Sequence, residues 1–383
     1  MSATSHGGLL ALVRDHGGLS RQQMLELTGM SRGTLVARLE TLARLGYVYE
    51  AEALAPTGGR PARRVRFEDR GRVVLAVDLG QTHARVAVTD LDGRELRSRA
   101  SDVRIADPGV LGAALDSGVA LLAAGRAERL IGASRGERLV GVGIGVPAAV
   151  DPATGTVVHP TTIPGWAPGE VLDAVRERWS VPVVVENDAR AGAVGESQGR
   201  EETLVHVKLS MGIGGGIVVG GEVLRGAAGL AGDIGHVRVG PASGPLCRCG
   251  RRGCLAAYAS GRALLERFGG SLGDLVAAAR RGDAPVVKAL TEAADVLGTA
   301  LATTVTTVNP HRLVLGGTLG PLPLVVERVR AQIHDTVAER AWPVVEAGEL
   351  GPVATVTGLA RLVVRAAFAP AAVDAAVAGA VVR

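Results

Sequence analysis

The residues with the most specific chemistry lie in the second half of the chain. His236 is followed by Cys247-Arg-Cys249-Gly-Arg-Arg-Gly-Cys254, which places all three cysteines within eight residues. One imidazole and three thiolates complete a tetrahedral Zn²⁺ site, and the interleaved glycines permit the tight turns such a knuckle needs. Four protein ligands leave no open coordination position, so the ion would be structural and would pin the loop that carries Asp233 and His236. Three free buried thiols are the alternative. In a reducing compartment an odd, clustered set points to metal and not to disulfides.

A second set begins after the apolar run Val181–Val185, where the chain reads Glu186-Asn187-Asp188-Ala189-Arg190. An amide and a carboxylate at the C-terminal end of a buried strand face a crevice where α/β proteins bind ligands. Asn187 can donate and accept; Asp188 could take a hydroxyl proton as a general base, or could simply cap the helix that follows. A third set is repeated. The run Val73–Val77 leads into Asp78-Leu79-Gly80-Gln81-Thr82 and a second strand, Ala84–Thr89, that ends in the turn Asp90–Gly93. Later, Leu204–Lys208 leads into Ser210-Met211-Gly212-Ile213-Gly214-Gly215-Gly216 and Ile217–Val219. Either one alone is explained by a tight hairpin. The recurrence implies a duplicated lobe with a cleft between the copies, where backbone N–H groups of both turns could cradle phosphates. Paired glycines also close the strand preceding Gly316-Gly317, where an adenosine could pack or a plain turn could form.

The elements that hold these groups come after a separate N-terminal module. Gly7–Asp15 carries a short apolar stripe. Ser20 is placed to cap Arg21–Thr28, with Met24, Leu25 and Leu27 inward. Gly29 breaks that helix, and Ser31 caps Arg32–Leu45, whose Leu35, Leu39, Leu42 and Leu45 share a face. This is helix, glycine turn, helix. Ser31, Arg32 and Thr34 at the start of the second helix, with Arg38 one turn on, are the residues a major groove would meet. Tyr47–Tyr49 and Val65–Phe67 form a two-stranded wing tipped by Gly58-Gly59-Arg60-Pro61, and an arginine between glycine and proline can enter a narrow minor groove.

Composition bounds the rest. The chain has 383 residues, room for two or three domains, and only 2% aromatics, so its cores rest on Leu, Val, Ile and Ala. Of 42 basic residues only Lys208 and Lys288 are lysines. The net charge of +4 is modest, but seven arginines face three glutamates between Arg32 and Arg66. That local excess suits a phosphate-facing surface, or else a solvated basic face. No signal peptide or membrane span is read, the apolar stretch Leu362–Val382 being a buried or docking helix, and a cytoplasmic protein is expected.

These motifs resemble the ROK family of repressors, open reading frames and sugar kinases over nearly the whole chain. The carriers are Asp78-Leu-Gly-Gln-Thr82, Gly141-Val-Gly-Ile-Gly-Val-Pro147, Glu186-Asn-Asp188, Gly212–Gly216, Ala231-Gly-Asp-Ile-Gly-His236 and the cysteine knuckle. The resemblance implies an α/β protein: an N-terminal winged helix-turn-helix (residues 1–70), followed by a two-lobed actin-like, ribonuclease-H-like sugar-kinase fold. The small lobe would span 71–185, completed by the C-terminal helix 359–383, and the large lobe 186–358. It implies that Asn187, Asp188, Asp233 and His236 hold a sugar, that Asp188 is the base in an active kinase, and that His236 also binds zinc. Several positions depart from the kinase pattern. Gln81 replaces a phosphate-turn glycine, Met211 a threonine, Asp233 a glutamate, Ala256 a sugar-binding glutamate and Ala148 a pocket glycine. These changes point away from Mg²⁺·ATP and catalysis. The expectation is a repressor of sugar uptake or catabolism genes that is not an enzyme. It binds operator DNA as a homo-oligomer, dimer or tetramer, and responds to a sugar or sugar derivative. A sugar kinase that keeps a DNA-binding domain, or a regulator that senses a non-sugar partner, are the alternatives.

Overall fold

The computed structural model describes residues 4–51, 63–130, 138–158, 163, 166–167 and 169–381. The chain forms two units: Met1–Arg72 together with Val363–Arg383, and Val73–Leu362.

In the first unit, α1 (His6–Asp15), β1 (Leu19–Ser20), α2 (Arg21–Thr28), α3 (Arg32–Arg44), β2 (Val48–Ala51) and β3 (Arg64–Phe67) follow in order. Ser20 caps α2 in a capping box with Gln23, Gly29 ends it at φ 65°, and Ser31 caps α3 by accepting from Thr34 N at 3.1 Å. The turn between the helices is therefore set by two serines and one glycine. Leu9, Leu10, Val13, Met24, Leu35, Leu39 and Leu42 fill the core. Two expectations change. Leu27 is 52% exposed, because the eight-residue α2 buries Met24 alone. Among the described residues the sheet has three strands in the order β1-β3-β2, since Leu19–Ser20 pairs with Arg64–Val65. The wing tip, with Gly59, Arg60 and Pro61, lies outside the described residues.

The C-terminal helix Pro370–Val381 packs on α1. Gly7 is required there, because a Cβ would fall 2.0 Å from Pro370 O, and Gly7 N donates to Asp374 Oδ1 at 2.8 Å. Phe368 meets Phe67 edge-on with ring centroids 4.9 Å apart, and the Arg14 guanidinium lies 5.1 Å from both rings. The segment 359–383, expected in the small lobe, is thus divided. Leu359 packs with Ala76 and Ala87 of the second unit, whereas Val363 onward belongs with the N-terminal helices.

Among the described residues the second unit holds two five-stranded sheets. The first is built from β4 (Arg72–Leu79), β5 (His83–Thr89), β6 (Glu95–Asp102), β7 (Arg138–Val146) and β10 (Val183–Asn187), with a small ribbon of β8 (Ala149–Val150) and β9 (Val157–Val158) beside it and helices α4 (Val110–Leu130) and α5 (Glu170–Arg176) along the same stretch of chain. The second comprises β11 (Leu204–Leu209), β12 (Ile213–Val219), β13 (Glu222–Val223), β14 (Arg312–Gly316) and β15 (Val344–Ala347). Their orders, β6-β5-β4-β7-β10 and β13-β12-β11-β14-β15, are the same when each sheet is numbered from its own first strand. The repeated strand-turn-strand pattern is therefore a duplicated sheet. In each copy the first three strands are antiparallel and the edge pair away from them is parallel.

The glycine run behaves differently from expectation. Only Ser210–Gly212 forms the turn; Gly214, Gly215 and Gly216 lie inside β12, opposite Lys208, Val207 and His206. The reason is close approach. Helix α6 (Asp188–Ser197) lies so near β12 that a Cβ on Gly216 would come 2.6 Å from Ala193 Cβ and 2.8 Å from Arg190 Cα.

His206 lies under the same contact, 2% exposed, with Nδ1 bonded to Ala189 O at 3.2 Å and Nε2 without a partner. Burial drives its pKa down to about 4, the bond to Ala189 opposing and the Lys208 ammonium assisting. Between that value and about 6.5 the unfolded chain binds more protons than the folded one, so stability rises with pH in this window. It is complete above the unfolded pKa and lost as the pH falls toward 4, by about 3 kcal/mol. Urea unfolding followed by circular dichroism at pH 7 and pH 4.5 should show this loss, and His206→Asn, which keeps a donor for Ala189 O, should flatten that part of the slope.

Candidate ligand cleft and metal centre

One cavity of about 770 Å³ lies between the two sheets and is lined by Asn187, Asp188, Asp233 and His236 together with both turns. The four residues expected to meet a ligand are thus brought to one wall system from different elements. Asn187 and Asp188 stand where β10 becomes α6, and Asp233 is the N-cap residue and His236 the last residue of the short 3-10 turn Ile234–His236.

Asn187 and not Asp188 caps the helix. Its Oδ1 accepts from Ala189 N at 3.0 Å and Arg190 N at 3.1 Å, and its Nδ2 donates to Ala148 O at 3.2 Å. Both lone pairs of Oδ1 are used, so toward a ligand Asn187 is a donor only, a narrower role than its amide allows in isolation. Asp188 is 8% exposed; Oδ1 accepts from Ala189 N and Oδ2 from Lys208 Nζ, each at 2.8 Å. Each oxygen keeps a lone pair, so Asp188 remains able to accept from a ligand hydroxyl.

Three further contributors have roles that spacing in the sequence does not fix, because each has a partner distant along the chain. Glu186, 1% exposed, accepts from Arg190 Nε and Arg225 Nε at 2.7 Å each, and Arg190 continues to Gly229 O. This buried pair joins the start of α6 to the loop over the cavity. Lys208 pairs with Asp188. Gln81, from the first turn, accepts from Arg262 Nη2 at 3.0 Å and Arg248 Nη1 at 3.3 Å, and its amide nitrogen lies 3.1 Å from where a Cβ on Gly212 would stand. The side chain therefore spans the space between the two turns expected to cradle phosphates. A charge marooned in a charge-poor motif was the available signal for Lys208; Gln81 was visible as the residue where a glycine is expected.

The knuckle forms a compact ligand set. His236, Cys247, Cys249 and Cys254 place their donor atoms within 4.8 Å of one another, with Cys247 Sγ 3.5 Å from His236 Nδ1 and Cys249 Sγ 3.7 Å from Cys254 Sγ. A tetrahedral ion with metal–sulfur bonds of about 2.3 Å needs sulfur–sulfur edges of about 3.8 Å. Isolated bridges Arg238–Cys254 and Leu246–Arg252 hold the loop in that shape. The donor set fits a metal ion. With Nδ1 turned to Cys247, the second ring nitrogen of His236 is left for the cavity it lines.

A family profile described as ROK family matches residues 74–366. The chain belongs to the ROK family. Among ROK proteins and their relatives it is similar to the xylose repressor of Bacillus subtilis (strain 168), 26% identical over 339 residues that cover 86% of both chains. Its fold matches a ROK family transcriptional regulator described as a homolog of E. coli MLC protein, with TM-score 0.78 and 23% identity over 97% of this chain and 98% of that one. A ROK family glucokinase from Streptomyces griseus in complex with glucose and AMPPNP matches with TM-score 0.64 and 31% identity, over 76% of this chain and 98% of the other. The two regulators cover shares of this chain that residues 74–366 alone cannot supply, so their likeness reaches into the first unit.

Glu186→Gln is expected to destabilise this ROK protein by about 3 kcal/mol, since it leaves Arg190 and Arg225 against a neutral, poorly matched partner in a buried site. Urea unfolding measures the loss, and hydrogen exchange should rise first in the loop at Gly229.

Proposed function

We propose that this ROK protein is a DNA-binding transcriptional regulator, a repressor of sugar uptake or catabolism genes, whose cleft binds a sugar or sugar derivative as effector. The observation that carries the reading is the helix-turn-helix of the first unit. The N-terminal residues of α3, namely Ser31, Arg32, Gly33 and Thr34, are all exposed, with Arg38 partly so. Small, hydrogen-bonding and cationic groups at the free start of a second helix are what a major groove and its flanking phosphates accept. The similarity to the B. subtilis xylose repressor supports the same reading. The tip residues Gly59, Arg60 and Pro61 would reach the adjacent minor groove. Twofold operators favour a homodimer, or a tetramer built from dimers, acting in the cytoplasm.

In the cleft, Asp188 accepts a ligand hydroxyl, Asn187 donates, and Asp233 and His236 complete the polar wall. The cysteine knuckle holds a structural Zn²⁺, which fixes the loop bearing His236. The sugar-kinase reading draws support from one observation, the carboxylate of Asp188 in the cavity. Against it stand Gln81, which spans the two turns, and Met211, whose thioether cannot donate to a phosphate. Removal of the glutamate represented by Ala256 leaves a ligand one charged partner short, worth about 1.5–3 kcal/mol.

Three outcomes are expected. A duplex selected from a randomised pool should bind the full-length protein, and Arg32→Ala should weaken binding about tenfold and lower the salt slope by about one. Unchanged anisotropy titrations would remove α3 from the interface. Elemental analysis of protein purified without chelator should give one zinc per chain, and Cys249→Ser should lose the zinc and lower the melting point. A melt panel of mono- and oligosaccharides should find a stabilising sugar, by about 2.7 kcal/mol at a hundredfold excess over Kd, with Mg²⁺·ATP adding nothing.

A further inference from the structure

The cleft contains a cation of its own. In a chain that writes 40 of its 42 basic residues as arginine, one of the two lysines stands on the cavity floor. The other, Lys288, lies exposed on the helix Ala284–Val308. Lys208 sits on β11 directly opposite Gly214 of β12 and Gly316 of β14, so no cross-strand side chain competes with its stem. Its Nζ reaches Asp188 Oδ2 at 2.8 Å.

The second carboxylate is Asp78, 2% exposed at the end of β4. Its Oδ2 lies 3.2 Å from His83 Nε2. Its Oδ1 is buried and accepts no hydrogen bond, the neighbouring Thr355 hydroxyl donating instead to Asp188 O. Burial alone would push Asp78 upward, yet the Lys208 ammonium and His83 hold it below the ordinary carboxylate value. Burial works against the charge of Lys208 in turn, and Asp188 and Asp78 together outweigh it, keeping the ammonium protonated. The ammonium is a compact point charge with freely rotating donors, unlike the flat, forked guanidinium that the rest of the chain uses.

We propose that Lys208, ion-paired with Asp188 on the cavity wall, is the resident cation of this carboxylate site and supplies the positive charge that a divalent metal would otherwise bring to Asp188 and Asp78, so that the site binds its ligand without metal and rejects Mg²⁺·nucleotide. A divalent ion entering there must displace the ammonium from Asp188 or sit beside it and be repelled, in a site too buried for water to screen the two. Gln81 acts in the same sense by filling the space between the turns. The ligand that remains acceptable is a polyol, which accepts from Lys208 and donates to Asp188 at one hydroxyl. This inference rests on the reading of the cleft as an effector site, and it is tested without DNA or sugar.

The probe is Mn²⁺ alone, added to zinc-loaded full-length protein and followed by the loss of the free-ion EPR signal. Wild type should hold no Mn²⁺ that Asp78→Asn abolishes. Lys208→Met should bind Mn²⁺ at least tenfold more tightly than wild type, and Lys208→Met combined with Asp78→Asn should lose that gain. The proposal is overturned if wild type binds Mn²⁺ as tightly as Lys208→Met and Asp78→Asn removes the ion. Should Lys208→Met fail to fold, the comparison of wild type with Asp78→Asn decides alone: a difference overturns the proposal, and identical titrations support it. Failure of operator binding would undo the repressor reading and leave the Mn²⁺ result standing.

Discussion

Helix α6 is the constraint on which the cleft depends. Its ten residues, Asp-Ala-Arg-Ala-Gly-Ala-Val-Gly-Glu-Ser, are all buried, although three of them carry charge. A helix so placed can be approached on every side only where side chains are missing. Gly216 of β12 lies against Ala193 and Arg190, Gly192 receives the ring of His206, Gly195 meets Ala354 O, and Gly358 meets Ala191 O. In the last two cases a Cβ would stand about 2 Å from a carbonyl oxygen, which no rearrangement of side chains relieves. The small residues fix how deep α6 sits, and its depth fixes where its first turn presents Asn187 and Asp188.

Burying such a helix would be costly without partners, since unpaired charge in a dry site is worth several kcal/mol. Each charged group on α6 has its own solution. Asp188 takes Lys208; Arg190 takes Glu186 and Gly229 O; Glu196 accepts from Glu349 N and Leu350 N at 3.1 Å each. These bonds reach to both sheets and to the loop over the cavity. The groups that make α6 tolerable in the interior are therefore the same groups that tie the cleft walls to it, and a ligand that contacts Asp188 touches that network directly.

What the sequence disclosed follows the range of the interactions. Serine caps and Gly29 act within four residues, so the helix-turn-helix was legible to within a residue or two. The knuckle was legible because a metal ion demands donor types at short spacing, and the duplicated sheet because its first hairpin recurs. The glycine run misled, because consecutive glycines signal a turn when read locally, while here a helix from elsewhere in the fold requires them in a strand. Asn187 was read as free to accept, but its acceptor is consumed by the N-terminus of α6. Glu186 with Arg225, Lys208 with Asp188 and Gln81 with Arg262 are pairs between distant segments, and no spacing rule announces them. The seating of the C-terminal helix on Gly7 is invisible for the same reason.

A kinase and a sensor use the same ligand contacts toward different ends. A kinase must leave room for a mobile divalent ion and a nucleotide, and its binding energy is spent on the transition state. A sensor must bind one of its own conformations more tightly than another, since a ligand with equal affinity for both shifts nothing. A fixed ammonium serves the second end. It is present before the ligand arrives, needs no ion from solution, and keeps Asp188 paired and oriented, so a hydroxyl finds a prepared donor and acceptor. Under the proposed function, occupancy of such a cleft depends on the ligand alone, and not on nucleotide supply. That independence suits the proposed sugar-responsive regulator, in which Asp188 stays open as an acceptor while Gln81 spans the two glycine turns.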